Sequence, residues 1–343
     1  MTRVLVADLR AQQARWAITA AAESRLRAVT PAGWTLRVIG APTSADGDGS
    51  RAPSDESLAA VKDADAYFGF GMSRPLFLAA PKLKWLHSAA AGVGSLLFPE
   101  MLARDVIITN SAGIHAIPIA EQALAGILAL LRGVDVAGAL QRERKWSREP
   151  FLAPDSPMRE VGGLRALVLG AGGLGQALGA RLAALGVRVT GSRRRPERGV
   201  PPGFERIVGT DAWRPLLPES EIVALCAPST KETQQMLGAK ELDALPRGAI
   251  IVNVARGALL DEDALAARVR SGALRGAVLD VFSKEPLPAE SPLWELPSVI
   301  MTPHVSGVTD RFWEREMALF EENWLAYDRG LTMRNVVDKE AGY

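Results

Sequence analysis

The chain contains only three histidines, and His304 is the one placed for chemistry, in "MTPHVSG" just past a short apolar run. Arg256 in "NVARGALLD" and Glu285 in "VFSKEPLP" also follow apolar runs of strand length. Together these residue types suit hydride transfer to or from a carbonyl carbon. A histidine supplies or removes the proton, a carboxylate stabilises its imidazolium form, and an arginine polarises the carbonyl while anchoring a carboxylate. On residue types alone, an ordinary hydrogen-bonded histidine is an equal alternative for His304.

A second constellation is the glycine pattern of Gly170, Gly172 and Gly175 in "LVLGAGGLGQALGARL", with Gly173 and Leu174 inside it. The first glycine permits a tight turn, the second lets backbone approach a pyrophosphate, and the third lets helix pack on strand. A helix opening there offers unpaired N–H groups and a positive dipole end to phosphate. The strand after such a loop usually ends near a carboxylate that binds the adenosine ribose 2′-OH. Here "VTGSRRRPERG" places Arg193 18 residues beyond Gly175. A guanidinium grips a 2′-phosphate through charge-assisted bonds. Ser192, Arg193 and Arg194 are therefore expected to favour NADP(H), with NAD(H) possible; solvated loop arginines are the alternative.

These groups need a scaffold that brings strand ends together. "RVLVAD", "TLRVIG", "DAYFGFG", "LKWLHSA" and the strand starting at Val106 alternate with helical stretches in the first third. A second series runs through "LRALVLG", "VRVTG", "EIVALCAP", "GAIIVNVARG", "LRGAVLDVF" and "SVIMTPH". Short, nearly continuous apolar strands of this kind are those of parallel sheets covered on both faces. The fold class is α/β: two Rossmann-like, doubly wound parallel-sheet domains. One long helix is expected after Pro118, running to "QRERKW", with Ala120, Leu124, Ile127, Leu128 and Leu131 on its buried face. The loop from Gly40 to Ser57 is expected to be exposed.

Composition removes several classes of function. Forty basic and 39 acidic residues leave a net charge of +1, so no global field gathers nucleic acid or an anionic membrane. No apolar run reaches the ~18 to 20 residues a bilayer span requires. The opening "MTRVLVADLR" lacks the order of a signal peptide, so a cytoplasmic location is the default. Cys226 is expected in the core, and no metal site is expected.

"GAGGLG", "APSTKETQQML", "NVARGALLDEDAL", "GAVLDVFSKEPLP", "SPLWELPSVIMTPHVSG", "NSAGIHAIPIAEQAL" and "NVVDKEAGY" resemble, in order, the signatures of the D-isomer-specific 2-hydroxyacid dehydrogenases. The resemblance runs from about Lys82 to the C-terminus. It implies that Arg256, Glu285 and His304 are the catalytic arginine, glutamate and histidine. It places the substrate carboxylate on the loop holding Ala91, Gly92, Val93 and Gly94, with Arg256 and His304 also at the substrate. It assigns Asp280 to the nicotinamide carboxamide, and puts Ala227, Pro228, Thr230, Val254, Ala255, Arg256 and His304 beside the cofactor.

The same resemblance implies a substrate domain at residues 1–109 and 306–343, with the dinucleotide-binding domain, 110–305, inserted into it. It makes the helix after Pro118 a dimer helix, which would account for its wide apolar face, and so implies a homodimer. The expected activity is reduction of a small 2-oxoacid to the D-2-hydroxyacid with NADPH. Departures are Gly94, where an acidic residue is usual, and the arginines after Ser192, as in NADPH-using glyoxylate and hydroxypyruvate reductases. The competing expectations are a non-catalytic dinucleotide sensor or corepressor on the same fold and a 3-phosphoglycerate-type dehydrogenase; no regulatory domain following Tyr343 speaks against the longer ones. His87 is expected in packing, and His115 either in packing or at the cleft.

Overall fold

The computed structural model describes residues 2–42, 53–340 and 342. The expected exposed loop falls largely on 43–52, outside the described residues, as do Ala341 and Tyr343 of the terminal motif. The chain forms two compact units, Met1–His115 with Val308–Tyr343, and Ala116–Gly307.

The first unit holds a parallel five-stranded sheet. Its strands are β1 (Arg3–Asp8), β2 (Trp34–Val38), β3 (Ala66–Gly69), β4 (Trp85–Ser88) and β5 (Ile107–Asn110). Their spatial order is β2-β1-β3-β4-β5. One face buries Leu5, Phe68, Trp85 and, from the Phe312–Asp328 helix, Phe320 and Trp324. The other face buries Val4, Val6, Tyr67 and Leu86. This alternation follows from the period of two along a strand. The C-terminal segment returns to the sheet edge, where Val337 N–H donates to the Ile108 carbonyl at 2.8 Å.

The second unit holds a parallel seven-stranded sheet: β6 (Arg165–Leu169), β7 (Arg188–Ser192), β8 (Arg206–Val208), β9 (Ile222–Leu225), β10 (Ala249–Asn253), β11 (Leu274–Leu279) and β12 (Val299–Met301). Their order is β12-β11-β10-β9-β6-β7-β8. The chain steps outward from β6 to β8, then restarts on β6's other side with β9. The β6/β9 boundary is therefore a topological switch point, where open α/β sheets leave a crevice beyond the strand ends. Strands such as "IVAL" and "AIIVN" are apolar throughout because both faces are covered.

The helix expected to run from Pro118 to the basic stretch is broken. Helices span Ala116–Leu131 and Val134–Arg142, bent by 73°. Gly133 takes φ +65°, a left-handed conformation that glycine adopts without penalty. Arg275 fixes the break, donating to the Leu130 carbonyl at 2.7 Å and to Asp135 Oδ1 at 2.7 Å. The buried face also differs: Ala123, Gly126 and Leu130 join Ala120, Ile127 and Leu131, while Leu124 and Leu128 are only half-buried. Gly126 explains the rotation, since a Cβ there would meet Val278 Cγ1 of β11 at 2.5 Å. Among the described residues no single helix is long and apolar enough to cross a membrane.

Candidate active site

The glycine turn leaves β6 at its C-terminal end. Gly170 has φ +106°, and a Cβ there would lie 2.5 Å from Ala227 N, so the ends of β6 and β9 touch through backbone. A Cβ on Gly175 would lie 2.2 Å from the Gly170 carbonyl oxygen, which lets the Gly173–Ala184 helix start directly above the strand. Gly172, the N-cap, has open space where its Cβ would stand. Two glycines are thus consumed by packing, and the third leaves helix N–H groups approachable. This cradle fits a dinucleotide pyrophosphate.

The end of β7 is tied to the same turn. The carbonyl of buried Ser192 accepts from Gly170 N–H at 3.0 Å and Ala171 N–H at 2.8 Å. Arg193 closes its own loop, with Nε donating to the Arg195 carbonyl at 2.9 Å and Nη2 donating to the Gly199 carbonyl. Its Nη1 makes no hydrogen bond among the described residues. Arg194 and Arg195 are exposed. After β9, Ala227 is buried, and Thr233 Oγ1 holds the turn by donating to the Pro228 carbonyl at 2.8 Å and accepting from Thr230 N–H at 2.7 Å. Val254 and Ala255 are buried after β10. The Cys226 thiol is pushed up to about 12 by burial, which makes it a poor nucleophile.

The ends of β10, β11 and β12 bring the hydride-transfer candidates into neighbouring loops. Arg256, exposed after β10, spends one donor on the Ala255 carbonyl at 2.6 Å. A Cβ on Gly257 would lie 1.8 Å from the Phe282 carbonyl carbon, so the Arg256 loop rests backbone to backbone on the segment leading to Glu285. Glu285 Oε1 accepts from Phe282 N–H at 2.9 Å, and Oε2 lies 2.8 Å from His304 Nδ1. The His304 and Glu285 side chains are 52% and 35% exposed. His304 Nε2 makes no hydrogen bond among the described residues.

His304 sits in a left-handed conformation, φ +53°, uncommon for a non-glycine residue. Asp280, buried at the end of β11, imposes it. The Asp280 carbonyl accepts from His304 N–H at 2.8 Å. Its Oδ1 accepts from Thr302 Oγ1 at 2.5 Å and Val305 N–H at 3.0 Å, and its Oδ2 accepts from Ser306 N–H at 3.0 Å and from Ser306 Oγ. Any nicotinamide contact at Asp280 shares an oxygen already bonded to this loop. Thr302, Ser306, Gly257 and the Phe282 amide were not singled out from the sequence. Their signal is weak: small or polar residues flanking a candidate acid or base.

In the first unit, the loop after β4 is pinned at its start. Ser111 N–H donates to the Ala90 carbonyl at 3.2 Å, and Asn110 Nδ2 donates to the Ala91 carbonyl at 2.8 Å. Val93 is buried, while Gly92 and Gly94 are at least partly exposed. His87 is fully buried. His115 stacks on Phe312 with ring centroids 5.5 Å apart and meets Trp16 edge-on, a packing environment. Phe70 and Met72 are core residues on opposite faces of the sheet.

A glycine turn at the switch point of one parallel sheet, with a histidine–carboxylate pair at its strand ends, defines a Rossmann-type, dinucleotide-binding oxidoreductase. The chain belongs to the D-isomer specific 2-hydroxyacid dehydrogenase family: residues 124–306 match its description "D-isomer specific 2-hydroxyacid dehydrogenase, NAD binding domain". It is 32% identical over 291 residues to a glyoxylate reductase of Korarchaeum cryptofilum, covering 82% of this chain and 84% of that one. Its fold is similar to that of a D-isomer specific 2-hydroxyacid dehydrogenase from Xanthobacter autotrophicus Py2 in complex with NADPH and MES. There the TM-score is 0.79 and identity 30%, with all of both chains covered. An NADPH-dependent glyoxylate/hydroxypyruvate reductase from Sinorhizobium meliloti, in complex with NADP and sulfate, gives 0.77 and 26%, covering 99% of this chain and 100% of that one.

Proposed function

We propose that the protein reduces a small 2-oxoacid to the D-2-hydroxyacid, with NADP(H) preferred over NAD(H). The observation that carries this is the 2.8 Å contact between His304 Nδ1 and Glu285 Oε2, which leaves Nε2 as the ring nitrogen without a hydrogen-bond partner among the described residues. An ionised carboxylate only accepts, so Nδ1 carries a proton and Nε2 is the atom that takes up and releases the second. Glu285 holds the ring through Nδ1; His304 Nε2–H donates to the carbonyl oxygen as it becomes a hydroxyl. Arg256 keeps most of its guanidinium for the substrate carboxylate; the family resemblance assigns the same group to the backbone of Ala91–Gly94. Bound reduced nicotinamide supplies the hydride.

Gly170, Gly172, Gly173, Leu174 and Gly175 hold the pyrophosphate, and Ala227, Pro228, Thr230, Val254 and Ala255 border the rest of the cofactor. Ser192, Arg193 and Arg194 bind the 2′-phosphate. The two backbone carbonyls on Arg193 support this role by pre-orienting Nη1. The NADP in the Sinorhizobium meliloti relative supports the same preference. Asp280 acts through the His304 loop. A homodimer is part of this proposal, supported by Val134, Trp146 and Leu152, which expose 57%, 97% and 71% of their surface around the broken helix. A cytoplasmic location is proposed with it.

The test is steady-state kinetics on glyoxylate, hydroxypyruvate, phenylpyruvate and branched 2-oxoacids, each with NADPH and NADH. Turnover with NADPH preferred is expected, and Arg193→Asp should cut that preference by about tenfold or more, as loss of a charge-assisted contact does. Preference for NADH, or an Arg193→Asp enzyme with unchanged preference, refutes the cofactor assignment. Absence of turnover on every 2-oxoacid refutes the activity.

A further inference from the structure

The first unit buries a second histidine–glutamate pair that the proposed reaction does not use. His87 on β4 and Glu316 on the Phe312–Asp328 helix both have 0% side-chain exposure, with Nε2 and Oε1 3.1 Å apart. The rings of Phe68, Trp85 and Phe320 surround His87. The pair sits within a longer chain of contacts. Trp85 Nε1 lies 2.9 Å from Thr109 Oγ1, which lies 2.7 Å from His87 Nδ1. Beyond the pair, Glu316 Oε2 lies 2.6 Å from Ser111 Oγ, which lies 2.8 Å from the Ser88 carbonyl oxygen.

The protons on this chain can be counted, because its two ends are unambiguous: an indole N–H only donates and a carbonyl only accepts. Thr109 Oγ receives the Trp85 proton, and the acceptor in reach of its own hydroxyl proton is His87 Nδ1. Nδ1 is then bare, so Nε2 carries the ring proton and donates it to Glu316 Oε1. At the other end, Ser111 gives its one proton to the Ser88 carbonyl. Its oxygen then faces Glu316 Oε2 at 2.6 Å, and two acceptors do not sit at that distance, so Oε2 carries a proton.

With that assignment every donor has an acceptor and no net charge is buried. An imidazolium–carboxylate pair instead aims two N–H donors at Thr109 Oγ, strands the threonine proton, and takes two charges out of water. A carboxylate beside neutral His87 draws the Ser111 proton away from Ser88 and leaves a lone charge in a fully buried site.

We infer that Trp85, Thr109, His87, Glu316 and Ser111 form a neutral hydrogen-bond chain, with Glu316 a carboxylic acid, whose end on the Ser88 carbonyl sets the loop from Ser88 to Gly94. Ser88 opens that loop, and Ser111 grips it twice, by its hydroxyl at Ser88 and by its N–H at Ala90. Glu316 and Ser111 are positioning residues; they hold the backbone to which the substrate carboxylate is assigned above, and the inference rests on that assignment for its effect on substrate.

Three measurements on the full chain test it. Isotope-edited infrared spectra with carboxyl-labelled glutamate should contain a protonated-carboxyl band that disappears in Glu316→Gln; a band that is missing, or that persists in the variant, overturns the assignment. Amide exchange at Ala90–Gly94 should rise about tenfold in Ser111→Ala, in proportion to one lost hydrogen bond. In Glu316→Gln it should stay within about twofold, because an amide repeats the acceptor and donor of the neutral acid. Unchanged exchange in Ser111→Ala, or a Glu316→Gln loop as fast as that of Glu316→Leu, overturns the positioning role. Ser111→Ala should also raise KM for the 2-oxoacid about tenfold while KM for NADPH stays within about twofold; equal shifts in both overturn it. A wild-type protein inactive on every 2-oxoacid refutes the functional reading, and the infrared and exchange results still decide the chain.

Discussion

The molecule contains two histidine–glutamate contacts of nearly the same length and opposite surroundings. His304–Glu285, at 2.8 Å, lies at strand ends with half of the histidine side chain exposed; His87–Glu316, at 3.1 Å, is fully buried, with three aromatic rings around the histidine. At His304 the second ring nitrogen has no hydrogen-bond partner among the described residues, so a proton can be exchanged there with a ligand. At His87 the second nitrogen is bonded to Thr109, and every proton in the chain already has a place. The residue pair therefore does not define a function. What its outer atoms meet does.

The sharpest way to break the comparison is to remove each histidine. His304→Ala should lower turnover by roughly 10²- to 10⁴-fold, the usual contribution of a positioned acid–base group. Its thermal stability should stay within about 0.5 kcal/mol, as for most exposed positions. His87→Ala should do the reverse, costing about 3 kcal/mol of stability by chemical denaturation through a cavity and stranded polar partners. Turnover lost equally in both variants, at unchanged stability, would abolish the distinction.

A smaller effect should come from Ser306→Ala, which takes one donor from Asp280 while leaving the His304–Glu285 contact in place. The His304 loop should loosen, and kcat/KM should fall about tenfold, with stability lowered by about 1 kcal/mol. Unchanged kinetics would mean that the left-handed backbone at His304 persists without this clamp.

The smallest effect concerns a third buried acid, which sharpens the contrast because it lacks a histidine. Asp8 Oδ2 accepts from Ser57 and Tyr67, while Oδ1 has no partner among the described residues, and burial raises its pKa above 3.8. A raised folded-state value stabilises the protein below the unfolded pKa, and that contribution is lost as pH rises through the folded one. Asp8→Asn should therefore gain melting temperature relative to wild type as pH is raised from about 3 towards neutrality. A difference that does not change with pH would show Asp8 to be unshifted.

The parallel-sheet architecture was legible because its strands are apolar on both faces and its glycine spacing has a single geometric use. "LVLGAGGLG" could be placed on strand, turn and helix from residue types alone. The break in the helix after Pro118 has a cause that is not local: it depends on Arg275, more than 140 residues beyond Arg132 and Gly133. The candidate site was legible where a residue type carries its own chemistry, as at His304, Glu285 and Arg256. Thr302 and Ser306 were not, because a small hydroxyl residue acquires its role only from the carboxylate it meets.

The order of residues along the chain is enough to specify the two series of parallel strands, the glycine turn, the family and the residue types available for proton and hydride chemistry. These follow from local conformational freedom and from the burial pattern along each strand. Which of two histidine–glutamate contacts is open and which is sealed, and where Asp280 spends its lone pairs, emerges on folding. Exposure and hydrogen-bond partnership belong to atoms brought together from distant segments: Glu316 and His87 are 229 residues apart, and no spacing along the chain encodes their 3.1 Å contact.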